Sequence, residues 1–232
     1  MTAENTVSRR FYGRRWGRPL RAGRKRLLKE LLPTIRIEMG EGQLSAGDLA
    51  TGNAVCCWLE IGFGGGEHLA AQAKEFPEIS IIGCEPFING VARLLSEIES
   101  KGLRNVRIYP DDARNLIDRI PSAIFEKVFL LFPDPWPKKR HLSRRYISIE
   151  NLDALARVMR DGGEFRFASD DMEYVRWTLR YVRQHGAFEW TAKTAQDWLE
   201  RPSDWPAARY ELKALAEGRS CIYLRFRRRK RA

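Results

Sequence analysis

The sequence predicts an α/β fold on a doubly wound, mainly parallel sheet, and three observations carry that expectation. Apolar runs of strand length alternate with amphipathic stretches of helical spacing from residue 55 onward, the chain order of stacked βαβ units. The first run, "VCCWLEI" (55–61), is continuously apolar up to its acid, which suits a strand buried on both faces. It opens directly onto a glycine-rich turn, "GFGGG", at the kind of strand-to-helix junction where such sheets bind ligands.

The elements follow in order. The first thirty residues are basic, with Arg9, Arg10, Arg14, Arg15, Arg18, Arg21, Arg24, Lys25 and Arg26. Within them "RKRLLKELLP" predicts a short helix stopped by Pro33, and "MGEGQLSAGDLATGN" reads as a Gly-rich connector. "EHLAAQAKEF" is a helix ending before Pro77, "ISIIGCE" a second strand, and "FINGVARLLSEIESKG" an amphipathic helix ended by Gly102. "NVRIY", "KVFLLF" and "GEFRFAS" continue as strands, with helices starting near Asp112, Arg145 and Asp170. "FEWTA" and "CIYLRF" close the chain as β segments on either side of "RPSDWPAARYELKALAEGR". The organisation expected is a basic arm with a short helix over 1–32, one α/β domain over 33–226, and a basic tail over 227–232.

The 232 residues are 44% hydrophobic, enough for one full core. The net charge of +11 gathers in the arm, in Lys138 to Arg145, and in the tail "RFRRRKRA". Clustered cations of this kind are the footprint of a polyanion partner. Cys56 and Cys57 sit together in an apolar run, Cys84 closes another, and no pair has zinc spacing. Buried, reduced thiols of a cytoplasmic protein are therefore expected. His68, His141 and His185 are scattered, so no metal site is expected. No apolar run is long enough to cross a bilayer, no signal-peptide core is present, and Trp16 fits an organellar transit peptide poorly.

The candidate site residues lie at successive strand ends. Gly62, Gly64 and Gly66 admit backbone angles that other residues resist, and they let a ligand approach the main chain. Gly65 and Glu67 break the G-x-G-x-x-G dinucleotide pattern. Glu60, just ahead of the turn, would repel a pyrophosphate but suits a cationic ligand. S-adenosylmethionine, with an ammonium and a sulfonium, is such a ligand. Glu85 ends the second strand, where an acid accepts from both hydroxyls of a ribose. Asp112 ends the third and would accept from an adenine amino group. Asp111 competes for that role, its other use being a helix N-cap.

The fourth strand delivers "FPDPWPKKRHLSRRY". Pro133 and Pro135 fix the backbone around Asp134, beside the place a transferred methyl would lie. Trp136 is either a stacking surface for a base or a core side chain. Guanine suits such a site on chemical grounds, because its N7 attacks a sulfonium methyl with no proton to remove first. Asp134 would accept from guanine N1–H and N2–H, a donor pair that adenine lacks.

This stretch resembles the signature of the bacterial tRNA (guanine-N7-)-methyltransferases. The resemblance covers nearly the whole chain through "FYGRRWGRPL", "LEIGFGGGEHL", "GCEPF", "DDA", "FRFASDD" and "ARYELKALAEG". It implies a Rossmann-like class I methyltransferase fold on a seven-stranded sheet, S-adenosylmethionine without a metal, and a variable-loop guanosine of tRNA as substrate. By the same resemblance Glu60, Gly62, Gly64, Glu85, Asp112 and Asp134 would contact the cofactor, and Asp134 would be catalytic. Lys138, Asp170, Arg209 and Glu211 would contact the substrate, and Arg140, His141, Arg144 and Arg145 the RNA. One departure is visible: the family's late motif begins with Thr, and Ala208 stands at that position here.

Three other readings compete. An amino-methylating nucleic-acid enzyme would place an Asp/Asn-Pro-Pro-aromatic motif at the fourth strand end, but here the aromatic separates the prolines. A non-catalytic RNA-binding protein with a degenerate domain would not keep four placed carboxylates. A polyamine-forming transferase would lack the basic patches. No obligate protein partner is implied, and monomer and homodimer are equally compatible with the sequence.

Overall fold

The computed structural model describes residues 11–52 and 56–231. Arg9 and Arg10 of the basic arm lie outside them. The described arm leads into α1 (Ala22–Glu30) and α2 (Leu32–Ile35). Pro33 does not end the helical run as expected. It sits in the first turn of α2, where a missing N–H leaves no helical bond unmade. The Gly-rich connector also holds structure: α3 (Ala46–Leu49) forms there because Ser45 and Asp48 cap each other's backbone, with Asp48 accepting Ser45 N–H at 2.7 Å.

Strands and helices then alternate as β1 (Cys56–Ile61), α4 (Glu67–Glu75), β2 (Ile79–Cys84), α5 (Ile88–Lys101), β3 (Val106–Tyr109), α6 (Ala113–Arg119) and β4 (Phe125–Leu131). Gly102 ends α5 in the left-handed conformation, as read from sequence. After β4 come a loop and a 3₁₀ turn (Lys139–Arg144). The next helix, α7 (Ile149–Val158), starts beyond the expected Arg145 because Ser148 supplies its cap, accepting from Asn151 N–H at 3.2 Å. The chain finishes with β5 (Met159–Ser169), α8 (Met172–His185), β6 (Phe188–Trp190), α9 (Gln196–Leu199), α10 (Arg209–Ala216) and β7 (Ile222–Arg228).

The seven strands form one sheet in the order β3-β2-β1-β4-β5-β7-β6. The five from β3 to β5 in that order pair parallel, and β7 runs antiparallel between β5 and β6. The strand order reverses between β1 and β4, so a crevice opens at their carboxyl ends.

Alternation along each strand sorts the core into two layers. Cys57, Leu59 and Ile61 face Leu116 of α6, Leu155 of α7 and Val182 of α8. Trp58 faces the opposite way with Phe129 of β4, against Leu27, Leu69 and Leu95 of α1, α4 and α5. Each such side chain contributes roughly 1.5–3 kcal/mol by leaving water. Glu60 shares the parity of Trp58, which decides where its carboxylate goes.

The basic tail is partly sheet. β7 runs through Arg228, whose Nε donates to the Ala156 carbonyl at 2.9 Å, and Arg231 donates to the Arg157 carbonyl at 2.9 Å. Among the described residues, no helix is long and apolar enough to cross a membrane.

Candidate active site

A cleft of about 810 Å³ lies at the carboxyl ends of β1, β2 and β4, lined by Gly62, Gly64, Glu85, Asp112, Asp134 and Asp170 among others. Its floor is the glycine turn. Gly62 and Gly64 both have left-handed backbones, at φ 70° and 57°. Gly90, at the start of α5, presses against this turn so closely that a Cβ there would stand 2.1 Å from the Gly64 carbonyl oxygen. That glycine was not singled out in the sequence, because its constraint comes from a neighbour distant in the chain.

Glu85 is fastened to the same turn. Its two carboxylate oxygens accept from Gly64 N–H at 2.7 Å and Phe87 N–H at 2.8 Å. Burial pushes its carboxyl up to about 7, against the pull of those two N–H groups, and the charges of Asp134 and Glu60 add to the rise. A carboxylate has about four lone-pair sites, so acceptor capacity is left on the cleft side.

Asp112 is held differently from the expectation. It is the N-cap of α6, accepting Arg114 N–H at 3.0 Å, and both its oxygens receive the Arg114 guanidinium, one at 2.5 Å from Nη2. Asp111, expected as the competing adenine acceptor or else as a helix cap, accepts from Asp112 N–H and pairs with Arg15 at 2.8 Å.

Glu60 does not reach the cleft wall. It is 3% exposed, and its carboxylate accepts from His68 Nδ1 at 2.7 Å. His68 in turn meets Gln72 at 3.4 Å, and Gln72 donates to the Asp204 carbonyl at 3.1 Å. The acid thus works behind the glycine turn, tying β1 and α4 to the segment that precedes α10.

The loop after β4 carries two strained residues. Phe132 and Trp136 have φ of 50° and 45°, a region costly for bulky side chains. Between them Asp134 projects into the cleft, open to solvent yet surrounded on most sides by protein, and the lost solvation raises its carboxyl above the ordinary range. Arg145, expected to contact RNA, holds this loop from beneath. It is 4% exposed, donates from Nε to the Pro135 carbonyl at 2.7 Å, and lies 5.0 Å from the ring centres of both Tyr174 and Trp177. Its position at the end of the 3₁₀ turn points it inward, while Lys138, Lys139 and Arg140 remain exposed. His141 packs edge-on to Trp136 at 5.7 Å, and desolvation with the nearby Arg144, Arg140 and Lys138 lowers its basicity.

The described arm is a wall of the cleft. Ile88 donates to the Arg15 carbonyl at 3.0 Å, Gly17 N–H to Asn89 at 2.8 Å, and Asn89 to the Arg18 carbonyl at 2.7 Å. These bonds bring Phe11 to Arg14 into the lining of the cleft. Among the described residues no group of three or more His, Cys, Asp or Glu could hold a metal ion.

A family model described as "Putative methyltransferase" matches residues 54–224. A tRNA (guanine-N(7)-)-methyltransferase of Rhodospirillum rubrum is 51% identical over 236 residues, spanning 100% of this chain and 92% of the relative. The chain belongs to the tRNA (guanine-N(7)-)-methyltransferase family. A further relative of the same name, from Rhizobium meliloti, is 49% identical and spans 94% of each chain. Among solved structures, the 16S rRNA methyltransferase KamB matches with a TM-score of 0.58 at 13% identity, over 84% of this chain and 99% of that one. An antibiotic-related methyltransferase matches at a TM-score of 0.53 and 17% identity, over 82% and 97%. These distant likenesses show the fold, which is the Rossmann-like class I methyltransferase fold.

For this member of the tRNA (guanine-N(7)-)-methyltransferase family the late motif is placed differently from the expectation. Glu211 is 1% exposed and accepts from Tyr223 OH at 2.6 Å, Arg201 Nε at 3.0 Å and Ala208 N–H at 3.1 Å. It faces the core side of α10, with Ala214 one turn on. Tyr210 and Lys213 are the α10 residues that line the cleft, and Arg209 is exposed outside it. Ala208 is the N-cap of α10, so the missing Thr hydroxyl removes half of a capping box. Asp170 lines the cleft but is paired with Arg219, another lining residue that the sequence reading missed.

Proposed function

We propose that this chain transfers the methyl group of S-adenosylmethionine to N7 of a guanosine in the variable loop of tRNA. The observation that carries the reading is the placement of Asp134 over the cleft in a chain half-identical, along its whole length, to tRNA (guanine-N(7)-)-methyltransferases. The residues present fit the cofactor: a glycine floor where a Cβ on Gly62 would project into open space rather than against protein, and Glu85 with acceptor capacity beside it. The cofactor supplies a methyl bound to a positive sulfur.

Glu85 would accept from the ribose hydroxyls, and the Gly62–Gly64 backbone would hold the methionyl portion. Asp112, its carboxylate shared with Arg114, would accept from the adenine amino group. Asp134 accepts from N1–H and N2–H of guanine, which offsets the solvation that its carboxylate has partly lost among the surrounding protein. N7 carries its own lone pair, so the protein removes no proton before transfer and acts by alignment and exclusion of water. Lys138, Lys139 and Arg140 grip phosphates, and such contacts weaken steeply with salt. That grip offsets the few kcal/mol needed to draw the base from its stack.

The test is incubation with unmodified tRNA and methyl-labelled cofactor, followed by digestion to nucleosides. Label is expected in 7-methylguanosine, and label in 6-methyladenosine or in no nucleoside overturns the reading. Asp134→Ala is expected to abolish transfer while cofactor affinity is retained; equal loss of both removes Asp134 from its role.

A further inference from the structure

We propose that the acceptor guanine stacks between Tyr12 and Trp136, in a slot that the Arg144 guanidinium holds in the free protein. Arg144 Cζ lies 4.5 Å from the Tyr12 ring centre and 4.9 Å from that of Trp136. All three side chains line the cleft that Asp134 enters. A guanidinium is flat, weakly hydrated and attracted to aromatic faces, which are the properties that let a purine use the same two faces.

Two observations separate a ligand slot from a simple fastening. The arm is already fixed to α5 and to Asp111 by the bonds through Arg15, Gly17 and Asn89, so the stack is not needed to hold it. Tyr12 is also 44% exposed, at the mouth of the cleft, where a packing contact would gain little. Trp136, by contrast, is set rigidly: its left-handed backbone stands between Pro135 and Pro137, and the His141 ring packs perpendicular to the indole at 5.7 Å.

When the base enters, Arg144 is evicted onto the side of the 3₁₀ turn that carries exposed Lys139 and Arg140. There it meets the phosphate of the same nucleotide. One cation thus keeps the slot open without RNA and binds backbone with it. The inference rests on the proposed guanosine reading and adds the stacking partners and the exchange to it.

The test compares unmodified tRNA with a tRNA abasic at the acceptor position, measuring binding with S-adenosylhomocysteine present and cofactor affinity as a check on folding. Tyr12→Leu and Trp136→Leu are each expected to weaken the guanosine-bearing tRNA by about 5- to 160-fold, the range of one base–aromatic stack. Neither changes the affinity for abasic tRNA, and Trp136→Phe restores most of the loss. Arg144→Ala also weakens only the guanosine-bearing tRNA, because its phosphate contact forms after eviction. Equal losses on both tRNAs overturn the slot and make the stack a fastening. If the wild type forms no 7-methylguanosine, the guanosine reading itself fails; if it does and the losses are equal, only the slot fails.

Discussion

Replacing Arg145 separates a residue that holds the Asp134 loop from one that holds RNA. In Arg145→Met the Pro135 carbonyl loses a charge-assisted donor, a bond of about 1.5–3 kcal/mol, and Tyr174 and Trp177 lose a desolvated cation, about 0.5–2 kcal/mol more. Relief of the buried charge returns part of that. A net loss of about 2 kcal/mol is expected, which in a chain of this size lowers the melting temperature by about 4–8 °C. The loop that carries Asp134 then samples positions off the reacting line, and kcat falls by about 10- to 100-fold. Cofactor affinity stays, since Glu85 and the glycine turn are untouched. Arg145→Lys is expected to fall between, because an ammonium keeps the charge but not the planar fork. Thermal unfolding, single-turnover methylation and tRNA binding on the same samples check this. An unchanged melting temperature and kcat with weakened tRNA binding would refute the structural role and return Arg145 to the RNA-binding surface.

The remaining predictions concern the cofactor side and α10. Glu85 has a folded value near 7, above its ordinary 4.5, so the stability it contributes is fully present below the ordinary value and is lost as pH rises through about 7. Ribose hydroxyls need the carboxylate, so cofactor affinity is expected to climb with pH through that window and then level. Calorimetry in buffers of different ionisation enthalpy reads the proton released on binding; a flat profile in the wild type counts against the assignment, and Glu85→Gln should be flat. Ala208→Thr completes the cap of α10 and is expected to raise stability by about 0.5–2 kcal/mol with kcat unchanged, as measured by denaturant unfolding and turnover.

The strands were legible because a parallel sheet covered on both faces leaves continuous apolar runs such as "ISIIGCE". The placements of Glu85 and Asp134 were also legible, since a strand end fixes where the next residue emerges. Glu60 was not, although its parity with Trp58 was available: period two puts its side chain into a sheet face, not beyond the strand. The cap of α3 was written as Ser-x-x-Asp and passed over within a Gly-rich stretch. Arg145 and Glu211 defeat sequence reasoning for a deeper reason. Arg145 stands in a run of cations and Glu211 in a mixed polar and apolar stretch, and only packing against Tyr174 and Trp177, or against Tyr223, turns each inward.

The reversal of strand order between β1 and β4 divides the labour of the chain. Gly62, Gly64, Glu85 and Asp112 line the cleft from elements before that seam in sequence, and Asp134, Asp170, Tyr210, Lys213 and Arg219 line it from elements after it. On the proposed function the donor is read mainly by the stretch before the seam and the acceptor mainly by the stretch after it, with Tyr12 of the arm joining the second group. On that reading acceptor preference changes through the second stretch and Tyr12 while the donor pocket stays intact, and a chimera joined between Ile120 and Phe125 exchanges the acceptor side only when the arm through Tyr12 travels with it.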